Sequence, residues 1–282
     1  MQVVSTIAEF RAARRGFPDL GLVPTMGFLH AGHLSLVERA RLECGAVAVS
    51  IFVNPTQFGP NEDLARYPRN LPGDLDLLRQ AGTALVFTPT PDEIYPSGFA
   101  SRVEVGPIGN VLEGAVRPGH FSGVATVVSK LFNIVQPSRA YFGQKDAQQA
   151  AVIRRFVRDF DLPVEVVVIP TMRETDGLAM SSRNSYLTDG QRAQAPVLYR
   201  ALRAGQDAFR SGELDAGRLC QVVRAVLATE PDLILDYVSV ADAGTLRDLP
   251  RVDAPALLSV AIRLGRTRLI DNVVLEPQPL IF

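Results

Sequence analysis

The segment 22–40 changes its hydrophobic period halfway along, and no other feature of the chain limits the fold as tightly. Leu22-Val-Pro-Thr25 reads as strand, Gly27 and Phe28 as a turn, and from His33 the apolar residues Leu34, Val37 and Ala40 recur at helical spacing. A strand that passes through a tight turn into a helix is the building unit of an α/β protein. His30 and His33 fall at the mouth of that helix. The N–H groups of a first helical turn have no intrahelical partner and the dipole is positive there, so the place suits an anion. Two imidazoles add donors directed at the same spot. Phosphate is the expected guest.

The chain holds three histidines, and two of them stand here, with Gly27 and Gly32 permitting close backbone approach. A capping or surface histidine is the plainer alternative. Zinc is a weaker rival, because His-x-x-His supplies two ligands only. Neither Cys44, expected in a buried helix-to-strand junction, nor the distant Cys220 completes a zinc-type spacing. No metal held by the protein itself is expected.

The alternation continues along the chain. Helices are predicted over 6–15, capped by Ser5 or Thr6, and over 72–81, 121–135 and 145–160. Strands are predicted over 21–25, 45–53, 84–88, 102–105 and 139–142, and a Pro- and Gly-rich loop over 89–98. Residues 45–53 form an almost unbroken Ala/Val/Ile/Phe run, the pattern of a strand buried on both faces of a parallel sheet. In the 145–160 helix, Val152, Phe156 and Phe160 share one face. Right-handed crossovers then give a doubly wound, Rossmann-like parallel sheet, whose ligands bind beyond the carboxyl ends of the strands. Thr25-Met-Gly27, Asn54-Pro-Thr-Gln57 and Gly143-Gln-Lys-Asp146 follow predicted strands, and Thr171-Met-Arg173 follows the strand-length apolar run 164–169.

After residue 185 the texture changes. Amphipathic helices are expected over 189–210, kinked or divided at Pro196, and over 213–229, followed by strand-like runs at 235–240, 257–263 and 268–274. This is a smaller α+β C-terminal domain with a short antiparallel sheet. A boundary near 175–185 gives domains 1–178 and 179–282, with Met180-Ser-Ser-Arg183 on the hinge.

Composition limits the function classes. Hydrophobic residues are 47% and charged residues 21%, as in an ordinary globular protein. The apolar runs are of strand length, short of the roughly 20 residues of a membrane helix. The start of the chain lacks a basic-then-apolar leader pattern. Two cysteines fit a reducing cytoplasm. A net charge of −1 leaves no electrostatic footprint for nucleic acid.

Two further motifs carry chemistry. Lys145 and Asp146 are placed at the start of a predicted helix, where a lysine opposes the dipole; an anionic ligand explains it better than helix stability does, and a solvated ion pair is the alternative. Met180-Ser-Ser-Arg-Asn184 offers two hydroxyls and a planar guanidinium in one loop, suited to phosphate oxygens but also common in ordinary turns.

The His30-Ala-Gly-His33 block resembles the signature of the nucleotidyltransferase superfamily, which includes class I aminoacyl-tRNA synthetases and small adenylyltransferases. Pro24-Thr-Met-Gly-Phe-Leu-His-Ala-Gly-His33, Phe52-Val-Asn-Pro-Thr-Gln-Phe58, Arg117-Pro-Gly-His-Phe-Ser-Gly-Val124, Phe142-Gly-Gln-Lys-Asp-Ala-Gln-Gln149 and Asp176-Gly-Leu-Ala-Met-Ser-Ser-Arg-Asn184 narrow this further. Blocks of this kind, in this order over about two thirds of the chain, resemble the pantothenate synthetase family.

The resemblance implies an ATP-dependent ligase that condenses pantoate with β-alanine through a pantoyl adenylate, releasing AMP and pyrophosphate. It implies that His30, His33 and Lys145 are catalytic. It implies ATP contacts from Met26, Gly27, Phe28, Leu29, His30, Ala31, Gly32, His33, Gly143, Gln144, Lys145, Asp146, Met172, Met180, Ser181, Ser182 and Arg183. Met172 departs from the smaller apolar residue that many relatives carry at a position associated with the adenine pocket. The resemblance gives Gln57 and Gln149 to pantoate, and Gln57 also to β-alanine. A neutral amide suits a hydroxy acid whose carboxylate must stay nucleophilic, although read alone each is an ordinary surface glutamine. Asn54, Arg117 and His120 are secondary candidates. Mg2+ is expected to arrive with the ATP phosphates. A homodimer through the N-terminal domain is also implied. A nucleotidyltransferase that stops at an adenylylated product and a nucleic-acid-binding module remain alternatives, the second disfavoured by charge. A tRNA synthetase lacks room for an anticodon-binding domain.

Overall fold

The computed structural model describes residues 1–60 and 62–277. Packing divides the chain into two compact units, Met1–Gln144 with Val152–Pro170, and Lys145–Ala151 with Thr171–Phe282. Besides Thr171–Phe282 the second unit takes in Lys145–Ala151, and Leu178 belongs to its apolar core.

The first unit is a six-stranded, all-parallel sheet in the order β1-β4-β3-β2-β5-β6, formed by β1 (Gln2–Val4), β2 (Leu20–Thr25), β3 (Ala46–Ile51), β4 (Leu85–Phe87), β5 (Arg139–Gly143) and β6 (Glu165–Ile169). Alternate strand residues feed two cores, as the period of 2 requires. Leu22, Ala48, Leu85, Phe87, Ala140 and Phe142 pack on one face with helices α1 (Ile7–Arg14) and α6 (His120–Val135). Val23, Val47, Val49, Val86 and Tyr141 pack on the other with α2 (Ala31–Glu43) and α3 (Leu71–Gln80). Two short helices, α4 (Pro91–Ile94) and α5 (Glu113–Val116), lie between α3 and α6 in the chain. Strand order reverses between β2 and β5, and at such a switch point the carboxyl ends of neighbouring strands leave a crevice.

Several local expectations are corrected. Residues 102–105 are not a strand: the Val103 N–H is taken by Thr126 Oγ1 at 2.9 Å, and Glu104 accepts from Ser122 Oγ, so side chains of α6 replace a strand neighbour. The 89–98 loop contains α4, capped by Thr90 and begun by Pro91. Gln2–Val4, too short to show a period, adds an edge strand on β4. Helix α7 (Ala147–Asp159) starts after a 3-10 turn over Gln144–Asp146, so Lys145 precedes the helix instead of lying in its first turn. Phe160 lies beyond the last turn of α7 and is 59% exposed, whereas Val152 and Phe156 are buried.

The second unit contains an antiparallel sheet of β7 (Leu233–Asp242), β8 (Ala256–Leu264) and β9 (Thr267–Leu275). Its apolar core includes Leu198, Leu202, Leu219 and Val223, from α9 (Val197–Arg210) and α10 (Ala216–Leu227). The preceding α8 (Asp189–Gln194) is separated from α9 at Pro196, as the sequence implies. Among the described residues no helix is long and apolar enough to cross a membrane.

Candidate active site

The turn between β2 and α2 is held by a series of hydrogen bonds. Thr25 Oγ1 donates to the Ser50 carbonyl at 2.7 Å and accepts the Gly27 N–H at 3.2 Å. Gly27 has φ +83°, and a Cβ there would come within 3.0 Å of both Asp74 Oδ2 and Ile51 Cγ2, so glycine is needed for conformation and for space. Phe28 also has positive φ, +53°, which is uncommon and costly for a bulky residue. The Asp74 carboxylate holds it there. Its two oxygens accept the N–H groups of Phe28 at 2.8 Å and Leu29 at 2.7 Å. From sequence Asp74 is only an acidic residue near the start of the helix predicted over 72–81. Its burial, at 3% exposed, is what reveals the second task.

His30 is the N-cap of α2. Its Nδ1 accepts the Gly32 N–H at 3.2 Å, while His33 Nδ1 accepts the His30 N–H at 3.4 Å, and the rings lie 4.1 Å apart. This is a capping box made of imidazoles. Because each Nδ1 is an acceptor, hydrogen bonding assigns the proton of the neutral ring to Nε2. Capping thus occupies the Nδ1 of each ring.

The turn after β3 gathers Asn54, Gln57, Arg117 and His120. Asn54, buried, receives hydrogen bonds at Oδ1 from Tyr95 OH at 2.8 Å and Thr56 Oγ1 at 2.9 Å, and donates from Nδ2 to the Gly123 carbonyl and to Gln57 Oε1. The second of these, at 3.1 Å, orients the Gln57 amide, whose Nε2 lies 3.1 Å from Met26 Sδ. α6 approaches so closely that a Cβ on Gly123 would sit 2.3 Å from the Thr56 carbonyl oxygen. His120 donates from Nδ1 to the Gln57 carbonyl at 2.8 Å, so its Nε2 accepts from Arg117 at 3.1 Å. Burial and the Arg117 charge push His120 down to about 4, and it is neutral at physiological pH. Arg117 forms a two-pronged pair with Glu62, at 2.8 and 2.6 Å. Burial acts to raise the Glu62 carboxyl, but the Arg117 hydrogen bonds and charge outweigh it and hold the group below the ordinary range. The secondary candidates therefore form the frame beneath Gln57. Sequence reasoning missed Glu62 and Tyr95, because nothing local marks them.

Gly143 and Gln144 close β5, at the switch point of the first unit. The remaining candidates belong to the second unit. Lys145 Nζ lies 3.6 Å from Asp146, and Gln149 is half-buried in the first turn of α7. Met172 is 41% exposed. Its carbonyl accepts the Met180 N–H at 3.0 Å, which closes a hairpin-like loop that returns to Ser181, Ser182 and Arg183. Glu174 braces that loop by accepting from Asn184 at 3.1 Å and Arg192 at 2.6 Å. Arg173 stacks over the Tyr199 ring, 3.8 Å from its centroid, and grips Asp271 with two hydrogen bonds.

The family described as Pantoate-beta-alanine ligase matches residues 2–274. A pantothenate synthetase of Herpetosiphon aurantiacus is 62% identical over 98% of this chain and the whole of that protein. One of Chloroflexus aurantiacus is 63% identical over 98% of this chain and 99% of its own. The crystal structure of pantothenate synthetase from Thermus thermophilus superposes with a TM-score of 0.95 at 52% identity, covering 98% of this chain and all of that one. The pantoate-beta-alanine ligase of Francisella tularensis, complexed with beta-gamma ATP and beta-alanine, gives a TM-score of 0.81 at 38% identity and covers 99% of each chain.

Proposed function

This chain belongs to the pantoate-beta-alanine ligase family, and from that membership we propose which of its residues carry the reaction. The enzyme condenses pantoate with β-alanine in the ATP-dependent formation of pantothenate. In our reading a pantoate carboxylate oxygen attacks the α-phosphorus of MgATP. The new O–P bond forms as the bond to the bridging oxygen breaks, and magnesium pyrophosphate leaves. The β-alanine amine then attacks the acyl carbon of the pantoyl adenylate, AMP departs with the electron pair of the C–O bond, and the amine proton passes to solvent. No side chain becomes covalently attached.

Catalysis of this kind consists of positioning and of neutralising growing negative charge. His30 and His33, through Nε2–H, and Lys145, through its ammonium, supply the positive groups. The backbone from Met26 to His33 and the Gly143-Gln144-Lys145-Asp146 turn take the nucleotide, Met172 the adenine side, and Met180, Ser181, Ser182 and Arg183 the triphosphate. Gln57 and Gln149 take pantoate, and Gln57 also β-alanine. Magnesium comes as part of MgATP, since it keeps several waters and prefers substrate phosphates. A homodimer through the N-terminal domain and a reducing cytoplasm, which the free thiols of Cys44 and Cys220 fit, complete the reading.

One observation supports the assignment above the rest: the paired imidazoles cap α2 just beyond β2, at the strand-order reversal, with each Nδ1 engaged by backbone. The test is omission of one substrate at a time. AMP release should require pantoate and β-alanine together, whereas exchange of labelled pyrophosphate into ATP should require pantoate alone. Exchange that depends on β-alanine overturns the order of steps.

A further inference from the structure

Strand β9 carries two adjacent buried polar residues, Asp271 at 2% and Asn272 at 4% exposed. Burial of a carboxylate and an amide is costly unless their hydrogen-bonding groups are satisfied. Asp271 accepts both prongs of Arg173, at 2.6 and 3.0 Å, and the backbone N–H of Asn272 at 2.8 Å. Burial raises the Asp271 carboxyl while Arg173 opposes that rise, so the fork is the group that favours its charged form. The Asn272 side chain reaches elsewhere. Its Nδ2 donates to the backbone carbonyl of Lys145 at 3.0 Å.

We propose that Asn272 is a positioning residue for Lys145, pinning the peptide from which the lysine side chain springs so that its ammonium is held where phosphate charge develops. The inference rests on the role given to Lys145 above. A lysine side chain is a flexible four-carbon stem, and a fixed root removes part of its freedom before the ligand arrives. Lys145 stands in a 3-10 turn ahead of α7, outside the regular ladder of that helix, so an external donor on its carbonyl has a backbone geometry to hold. Asp271 and Arg173 complete the device. They fix β9 against the 171–180 segment, so a single strand sets the peptide of Lys145 and the residue next to Met172.

The test compares Asn272→Ala, Asn272→Ser, Lys145→Ala and the Asn272→Ala/Lys145→Ala double variant in pyrophosphate–ATP exchange, with thermal unfolding of each. The serine hydroxyl is too short to reach the carbonyl, so this variant repeats the comparison if the alanine protein does not fold. A displaced catalytic group costs about tenfold to a hundredfold in rate, and that loss is expected in the maximal exchange rate of either Asn272 variant with the protein folded. In the Lys145→Ala background, measured at higher enzyme concentration, the Asn272 substitution should cause no further loss, since its effect passes through the missing side chain. Parental rates in the folded Asn272 variants, or an equal loss in both backgrounds, overturn the inference. A parental rate for Lys145→Ala removes the premise and shows the failure to lie in the Lys145 assignment.

Discussion

Asp74 accepts the backbone N–H of Phe28 at 2.8 Å and thereby holds a phenylalanine at φ +53°, in the turn that leads to His30 and His33. The carboxylate spends its second oxygen on Leu29. A residue 46 positions further along the chain, in the first turn of α3, thus keeps the signature turn in a conformation its own side chains disfavour.

Asp74→Asn is expected to lower stability by about 2–3 kcal/mol, because a buried N–H loses a charged acceptor and meets an amide. Pyrophosphate exchange should fall at least about tenfold in protein that is still folded, as the His30 and His33 donors shift from position. Urea unfolding and exchange assays on the same preparation check this. Parental exchange in a destabilised Asp74→Asn protein would limit Asp74 to a structural part.

The division of labour within each imidazole gives a sharper test than alanine. Asn at position 33 places its amide near the former Nδ1 and so keeps an acceptor for the His30 N–H, but it has nothing at Nε2. His33→Asn should therefore melt close to the parent while losing about 10²–10³ in exchange rate, the cost of one preorganised donor. If instead the protein melts many degrees lower and its folded fraction exchanges at the parental rate, His33 is a cap and nothing more.

Gln57→Ala and Gln149→Ala should weaken pantoate about tenfold or more and leave ATP affinity near that of the parent. A neutral hydrogen bond whose loss leaves a buried partner unpaired is worth about 1–3 kcal/mol. Calorimetric titration with each ligand decides the matter, and unchanged pantoate affinity in both variants removes the two glutamines from the pocket.

His120 predicts a pH dependence. Its ordinary value is 6.5, and burial together with the Arg117 charge lowers it to about 4 in the folded protein. Between those values the unfolded chain binds a proton that the folded protein refuses, so the folded state is favoured fully above pH 6.5 and loses that advantage as pH falls towards 4. The loss amounts to at most about 3 kcal/mol. His120→Gln should flatten the slope of unfolding free energy against pH in this window by up to one proton. An unchanged slope would mean that His120 titrates normally in the folded protein.

Much of this architecture is decided within a few residues of sequence, and that part was readable. The change of period across 22–40 produced β2, the turn and α2, and the apolar run at 45–53 became β3, buried on both faces. Proline divided the 189–210 helix where expected. The failures came from partners outside the local segment. Residues 102–105 have strand-like side chains, but their N–H partner is a threonine on α6, which no period can announce.

By itself, then, the sequence determined most of the elements, the α/β order and the candidate groups, since helix and strand periods, caps and turn residues act over one or two turns of chain. Tertiary structure alone decided how those groups are held. Asp74 meets Phe28 across 46 residues, His120 meets the Gln57 carbonyl across 63, and Asn272 meets Lys145 across 127. Hydrogen bonds of that span depend on which strands become neighbours and which polar groups burial deprives of water.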